Sequence, residues 1–196
     1  LWQTELSRGG FPKIHRNNTH ASATIACDGE LLYAVFHHHN QLHAAALKRD
    51  GAIAWRRMLG EFHPKRYEYG YGPSPVLYRN LVLIGAEYDG DSHVSALDRR
   101  TGNTVWRVAR QSFVSYSTPS IQTIGGRDLM TMTGDDKLMC YDPATGKELW
   151  AHGLGTVKTG DGGQAGASGN DGGDGPRSTP AMSGGRVYTF SAKLVL

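Results

Sequence analysis

The sequence predicts an all-β fold made of repeated four-stranded antiparallel units, and three observations predict it. Residues 98–106, D-R-R-T-G-N-T-V-W, and residues 142–150, D-P-A-T-G-K-E-L-W, both place Thr-Gly three and four residues after an Asp, and a Trp four residues after the Gly. A looser copy, K-R-D-G-A-I-A-W, keeps the four steps from Gly51 to Trp55 but lacks the Thr and is one residue tighter before its Gly. The four Trp residues fall at 2, 55, 106 and 150, at intervals of 53, 51 and 44 residues, and self-similarity at a period of about 40–50 residues marks a repeat architecture. Between these marks, apolar and polar residues alternate in short runs bounded by Gly and Asp clusters, the pattern of strands joined as hairpins.

The unit at 117–154 is the clearest. S-T-P-S-I-Q-T-I is a first extended segment, closed by the turn G-G-R-D; L-M-T-M-T is a second, closed by G-D-D; K-L-M-C-Y-D is a third and K-E-L-W-A-H a fourth. Asp142 can accept hydrogen bonds from turn amides, and Gly146 can take the left-handed conformation that folds the third segment back into the fourth. Trp150 then sits on the fourth strand as an anchor, a ring large enough to bury about 150–250 Å² against its neighbour. Asp98, Gly102 and Trp106, and more loosely Gly51 and Trp55, carry the same structural assignment: a turn plus an anchor, not an active-site signature.

Laid on this template, the chain divides into units at about 20–60, 72–110 and 117–154. A lone fourth strand at 1–8 precedes them, a Gly-rich loop at 155–177 follows, and a partial unit at 178–196 stops inside its third strand. Radial repetition of four-stranded sheets, which shortens and protects sheet edges, makes this one β-propeller domain with about three complete blades and two partial ones.

Composition narrows the function classes. Gly supplies 26 of 196 residues, roughly twice the usual share of about 7%, so many turns are expected. Lys and Arg number 21 against 18 Asp and Glu, and the basic pairs Lys48-Arg49, Arg56-Arg57 and Arg99-Arg100 are spread over the repeats instead of forming one dense stripe. Nucleic acid is not an expected partner. No apolar run approaches the roughly 18–20 residues that a transmembrane helix requires. The chain begins at Leu1 with no basic-then-apolar leader, so a targeting segment is expected to have been removed or not included. Cys27 and Cys140 lie at different positions of different units and are expected as two buried small apolar residues, not as a disulfide.

The segments A-L-D-R-R-T-G-N-T-V-W and Y-D-P-A-T-G-K-E-L-W, with Y-G-Y-G-P-S-P-V and G-D-G-P-R-S-T-P-A leading into their units, resemble PQQ-like β-propeller repeats. Such repeats occur in bacterial quinoprotein alcohol dehydrogenases and in outer-membrane assembly scaffolds similar to the lipoprotein BamB. The resemblance covers nearly the whole chain. It implies seven or eight blades, and therefore that this chain is part of a larger propeller, that the fourth strand at 1–8 completes the partial unit at 178–196, or that chains associate through exposed blade edges. A periplasmic or otherwise extracytoplasmic location follows from the resemblance alone. The dehydrogenases use a vicinal Cys-Cys disulfide, a Trp floor and a calcium site with a catalytic Asp; here Cys27 and Cys140 are 113 residues apart and no Asp stands in a recognisable version of that site.

In such a blade the turn after the second strand and the connection leaving the fourth open on one face, where rigid scaffolds carry recognition loops. Three features converge there: H-H-H-N at 37–40, the acidic turns with Asp89 and Asp91 and with Asp135 and Asp136, and the connection 155–177. Alternation along a strand would put His37 and His39 on one side, but no Cys-x-x-Cys or His-Glu-x-x-His pattern adds ligands, so no metal site is assigned. Asp161, Asp171 and Asp174 in the Gly-rich stretch lack the regular apolar position of calcium-binding repeats and read as a flexible loop. The run K-R-Y-E-Y-G-Y-G at 65–72 could stack on a sugar or a base, and reads more simply as the lead into the next unit. With no G-x-S-x-G elbow and no P-loop, the expected function is a non-catalytic binding or scaffold propeller taking a protein or small ligand on one face, with no cofactor. The alternative is a PQQ-dependent dehydrogenase, or part of one, with PQQ and calcium.

Overall fold

A computed structural model describes residues 1–14, 18–65, 69–134, 137–154 and 179–189. These form fourteen strands and no helix. The first sheet contains β1 (Ala26–Cys27), β2 (Leu31–His38), β3 (Gln41–Lys48) and β4 (Ile53–Glu61). The second contains β5 (Val76–Tyr78), β6 (Leu81–Ala86), β7 (His93–Asp98) and β8 (Thr104–Ala109), and the third β9 (Ser120–Ile124), β10 (Arg127–Gly134), β11 (Lys137–Tyr141) and β12 (Glu148–Gly153). Each is an antiparallel meander in sequence order, as the alternation predicted; β13 (Ala181–Ser183) and β14 (Arg186–Tyr188) pair as a two-stranded sheet.

The repeated turn works as its chemistry requires. Asp98 Oδ1 accepts from the Arg100 amide at 3.0 Å, the Thr101 amide at 2.8 Å and the Thr101 hydroxyl at 2.9 Å, and the Gly102 amide closes on the Asp98 carbonyl at 2.8 Å. Asp142 repeats the arrangement with the amides of Ala144 and Thr145 at 2.9 and 3.3 Å, and the Gly146 amide meets the Asp142 carbonyl at 2.8 Å. Gly51, Gly102 and Gly146 have φ of 89°, 72° and 73°, the left-handed region that a β-carbon penalises.

Immediately after each turn the register slips beside the Trp. Ala46 pairs with Trp55, Ala96 with Trp106 and Cys140 with Trp150, and in each sheet one extra residue, Ala54, Val105 or Leu149, is bulged out just before the ring. A bulge re-aims the next side chain, and a small residue opposite leaves the ring room to lie over its neighbour.

That neighbour is the following unit's turn. A β-carbon built on Gly102 would stand 2.6 Å from the Trp55 ring, one on Gly146 2.6 Å from Trp106, and one on Gly51 2.6 Å from Trp2. The indole N–H of Trp55 donates to the Arg99 carbonyl at 2.8 Å, and that of Trp2 to the Arg49 carbonyl at 2.7 Å. Trp150 differs from the buried anchor expected of it: it is 38% exposed, against 5% for Trp55, because no turn glycine of a following unit lies on it among the described residues. Residues 1–8, read as a lone fourth strand, form no strand here, although Trp2 and Thr4, whose hydroxyl donates to the Gly51 carbonyl at 2.6 Å, are seated on the first unit's turn.

Two apolar interfaces hold the sheets face to face. Tyr33, Val35, Ala44, Ala46 and Trp55 of the first sheet meet Val82, Ile84, Ala86 and Leu97 of the second. On its other face the second sheet sets Leu81, Leu83, Val94 and Ala96 against Met130, Met132, Met139 and Tyr141 of the third. Covered on both sides, β6 is buried at every position, so its sequence L-V-L-I-G-A runs apolar without alternating. Cys140 is buried as expected, whereas Cys27, at the short inner strand of the first sheet, is exposed; both are free thiols.

A third tie lies at the start of the inner strands. The Thr24 amide donates to the Ser74 hydroxyl at 2.9 Å, the Ser74 amide to the Thr118 hydroxyl at 3.0 Å, and the Thr118 amide to the Thr179 hydroxyl at 3.2 Å. One hydroxyl per unit thus catches the amide of the unit before it.

Candidate functional site

The turns after the second strands and the connections that leave the fourth strands open on one face of the stacked sheets. In the first unit His39 and Asn40 have φ of 51° and 56°, two successive left-handed residues, the geometry of a primed two-residue hairpin turn. His37, still on β2, packs edge-on against Phe62 with ring centroids 5.0 Å apart. His38 points to the opposite face, 4.2 Å from the His43 ring.

His39 does not share a side with His37. Strand alternation stops at the turn, and the left-handed backbone swings the His39 ring towards His38, where the two Nδ1 atoms lie 2.7 Å apart. Arg56 Nη2 contacts His38 Nε2 at 2.8 Å. Because a guanidinium only donates, His38 must accept at Nε2, and so carries its proton on Nδ1 and donates to His39. The structure therefore gathers His38, His39, His43 and Arg56, a row of nitrogen bases that includes one permanent cation. Among the described residues no three His, Cys, Asp or Glu side chains are arranged to hold a metal ion.

The His37 ring is 7% exposed, and both its nitrogens lack hydrogen-bond partners. The Phe62 backbone lies near it without reaching hydrogen-bond geometry. With His20, Phe36 and Tyr71 it lines a cavity of about 30 Å³. Burial pushes the His37 pKa down from 6.5 to about 4 against the opposing pull of the Phe62 backbone; burial, reinforced by His38 and Arg56, takes His43 to about 4 as well. For a base whose folded pKa is depressed, the unfolded chain binds more protons between the two values, so stability falls as pH falls. The melting temperature is expected to hold above pH 6.5 and decline from there towards pH 4. A His37→Phe/His43→Phe variant should flatten that decline in calorimetric scans; an unchanged slope would remove these two rings as its cause.

In the second unit the acidic turn is committed to structure. Asp89 accepts the Lys65 amide with both carboxylate oxygens, at 2.9 and 3.1 Å. Asp91 pairs with Arg107 of β8 at 2.6 Å, and Arg107 in turn donates to the Leu59 carbonyl of β4 at 3.2 Å. Asp135, Asp136 and the connection 155–177 lie outside the described residues.

Beneath this turn is a pair that the sequence did not single out. Arg110 Nε donates to Glu87 Oε1 at 2.6 Å, and its Nη2 lies 2.5 Å from the same oxygen outside hydrogen-bond geometry. The two side chains are 2% and 1% exposed. Arg110 Nη1 reaches the Tyr141 hydroxyl and the Met139 sulfur of the third sheet. Sequence signals were slight: Glu87 is one carboxylate ending an apolar run, and Arg110 one cation just after β8.

Between the turns run the connections, which bring aromatic rings to the same face. The half-exposed Tyr69 stands 6.5 Å from Tyr116, their planes at 63°. Tyr71 is buried and donates its hydroxyl to the Gly85 carbonyl at 2.9 Å, which supports the reading of 65–72 as the lead into the next unit for its described part. The anchors Trp55, Trp106, Asp98, Asp142, Gly102 and Gly146 sit at the opposite end, at the turns joining third and fourth strands.

Meanders stacked face to face, with Trp2, Trp55 and Trp106 each seated on the next unit's turn glycine, define a β-propeller built from PQQ-type repeats. The chain belongs to the outer membrane protein assembly factor BamB family, whose family model matches residues 1–195. Among curated proteins it is 28% identical over 150 residues to the quinohemoprotein alcohol dehydrogenase of Comamonas testosteroni, a match covering 72% of this chain and 19% of that enzyme. The structure of BamB from Moraxella catarrhalis superposes with a TM-score of 0.57 at 19% identity, over 88% of this chain and 47% of that one. The crystal structure of the Comamonas testosteroni enzyme gives a TM-score of 0.50 at 15% identity, over 85% of this chain and 31% of that one. This chain therefore spans less than half of BamB and about a fifth of the curated enzyme. No helix among the described residues is long and apolar enough to cross a membrane.

Proposed function

We propose that this chain is a non-catalytic scaffold propeller that works outside the cytoplasm in outer-membrane protein assembly, with the face of Tyr69, Tyr116 and the His37–Asn40 turn directed at a protein partner. The observation that carries this reading is how the acidic residues of that face are used. Asp89 is held by an amide, Asp91 by Arg107 and Glu87 by Arg110, so each carboxylate that the second unit brings to this face has a structural tie. The aromatic pair offers wide, rigid contact area of the kind that dominates protein interfaces.

The likeness to a quinohemoprotein alcohol dehydrogenase favours a second reading, a quinone-dependent oxidoreductase with PQQ and calcium. The described residues do not fit that cofactor in the way the resemblance implies. Cys27 is exposed on β1 and Cys140 buried on β11, so they cannot form a vicinal disulfide. Trp55 and Trp106 are spent on turn glycines at the far end of their sheets.

Two measurements separate these readings. A fluorescently labelled outer-membrane β-barrel chain, diluted from urea, should bind, and a Tyr69→Ser/Tyr116→Ser variant should bind it about tenfold or more weakly. Incubation with PQQ and calcium should give no alcohol-dependent dye reduction. Turnover in that assay would replace the scaffold reading with the oxidoreductase, and affinity unchanged in the variant would move the partner off this face.

A further inference from the structure

Among the described residues, His37 is the buried side chain with two polar atoms that no hydrogen bond reaches, Nδ1 and Nε2. A buried polar group without a partner is costly, and native structures rarely leave one so unless something occupies the space beside it. The space is there. The cavity that His37 lines is walled by the buried Val35, Gly70 and Tyr71, with the exposed His20 and Ala21 at its rim. At about 30 Å³ it has room for about two water-sized groups, the size of the two oxygens of a carboxyl group.

The chemistry of the walls selects among occupants. The Phe62 amide is committed to the Asn40 carbonyl at 2.8 Å, so what the Phe62 backbone offers His37 is its carbonyl, an acceptor that favours a proton on the nearer ring nitrogen. A neutral imidazole carries one proton. With that proton on the Phe62 side, the other nitrogen presents a lone pair and calls for an O–H donor. The Tyr71 hydroxyl is not that donor, because it is spent on the Gly85 carbonyl at 2.9 Å. Burial keeps the ring neutral, with a pKa of about 4, and the groups whose charge acts in the same direction are bases: His20 from the segment before β1, His38 on β2 itself and His63 from the connection after β4. Just after β6, Tyr88 turns its ring on Phe62 and His63. Such surroundings disfavour a cationic donor and favour one that ends negatively charged.

We propose that this cavity binds one carboxyl group, whose O–H meets the open nitrogen of His37 and passes its proton to it, leaving a carboxylate beside an imidazolium with the Phe62 carbonyl facing the other nitrogen. The bond broken is the acid's O–H and the bond formed is the imidazolium N–H. Near neutral pH the free acid is ionised and the empty His37 is neutral, so the complex holds one proton more than its separate parts. Affinity therefore rises as pH falls, by about tenfold per pH unit while the pH is above both pKa values. The carboxyl group belongs to a small free monocarboxylic acid or to an acidic side chain of a protein seated on this face.

Sodium formate titrated into the purified 196-residue chain by calorimetry, at pH 6 and pH 7 and in two buffers of different ionisation enthalpy, tests this. Expected are uptake of about one proton per site and a Kd about tenfold higher at pH 7 than at pH 6. His37→Phe, which removes both nitrogens, and Ala23→Leu, which fills the cavity from its wall and leaves His37 in place, should each abolish binding while keeping the parent's intrinsic Trp fluorescence. A Tyr69→Ser/Tyr116→Ser variant should bind formate unchanged, so loss of the protein partner and loss of this site are distinguishable. Acetate and a blocked tripeptide with a central glutamate then identify the source. Tighter binding of acetate assigns a free acid and tighter binding of the tripeptide a partner's side chain, and either supports the site. No formate binding, binding without proton uptake, binding retained in His37→Phe or Ala23→Leu, or methanol bound as tightly as formate would each overturn the proposal.

Discussion

Gly102→Ala is expected to destabilise the protein by about 2–5 kcal/mol, combining left-handed strain of about 1–2 kcal/mol with overpacking of about 1–3. Gly29→Ala should cost only the strain, about 1–2 kcal/mol. Both glycines have positive φ, 72° and 92°, so the backbone penalty is shared. They differ in what a methyl group would meet: the Trp55 ring at 2.6 Å and Arg57 Cγ at 3.0 Å for Gly102, nothing within 4 Å for Gly29. Urea denaturation of both variants reads the difference. Trp55→Leu should make the Gly102 substitution less costly, since contacting residues are not additive. Equal costs for the two glycines would mean that the turn conformation alone, and not the seat for the Trp, explains why the repeat keeps Gly at this place. Gly146 under Trp106 should behave as Gly102 does, the two contacts being alike at 2.6 Å.

That contrast also explains what the sequence could and could not disclose. The turn of Asp98 and the turn of Asp142 are closed by residues within five positions of each other, and local chemistry of that kind is legible in a single chain. The seat of each Trp is not local. Trp55 meets Gly102 and Trp106 meets Gly146, so only the period hinted that one unit's anchor rests on the next unit's turn. His39 misled because alternation was carried one residue too far, into a turn where His39 and Asn40 both have positive φ. Asp89 and Asp91 read as loop carboxylates free for recognition; their ties to the Lys65 amide and Arg107 depend on packing between units. Glu87 and Arg110 were missed for a related reason. By register His37 stands where Glu87 does, four residues beyond the partner of Ala46 or Ala96, and Leu59 stands where Arg110 does, four beyond the Trp. A comparison of repeats sets such one-off pairs aside as drift, although they distinguish one unit's face from another's.

Arg110→Met should destabilise the protein by about 3–5 kcal/mol, the cost of leaving a buried charge without its partner. Glu87 and Arg110 are almost wholly excluded from solvent, at 1% and 2% exposure, so water cannot replace the lost guanidinium. Its removal also strips the Tyr141 hydroxyl and Met139 sulfur of the group that ties them to the second unit. The double variant Glu87→Leu/Arg110→Met should recover most of the loss, because a buried ion pair replaced by apolar groups of similar volume is often neutral. Disruption of the exposed pair in which Arg8 Nε lies 2.9 Å from Glu5 Oε1, by contrast, should change stability by less than about 1 kcal/mol. Chemical denaturation of the single and double variants checks the coupling. A double variant as unstable as Arg110→Met would locate the cost in the hydrogen bonds to the third sheet, not in the stranded carboxylate. Function enters through position: Arg110 begins the connection that carries Tyr116 to the face proposed for partner binding. In the single variant that connection loses its tie to the third sheet, so binding by the Tyr69–Tyr116 pair should weaken while Trp55 stays seated on Gly102. Intrinsic Trp fluorescence, unchanged beside a weaker binding curve, would report that separation.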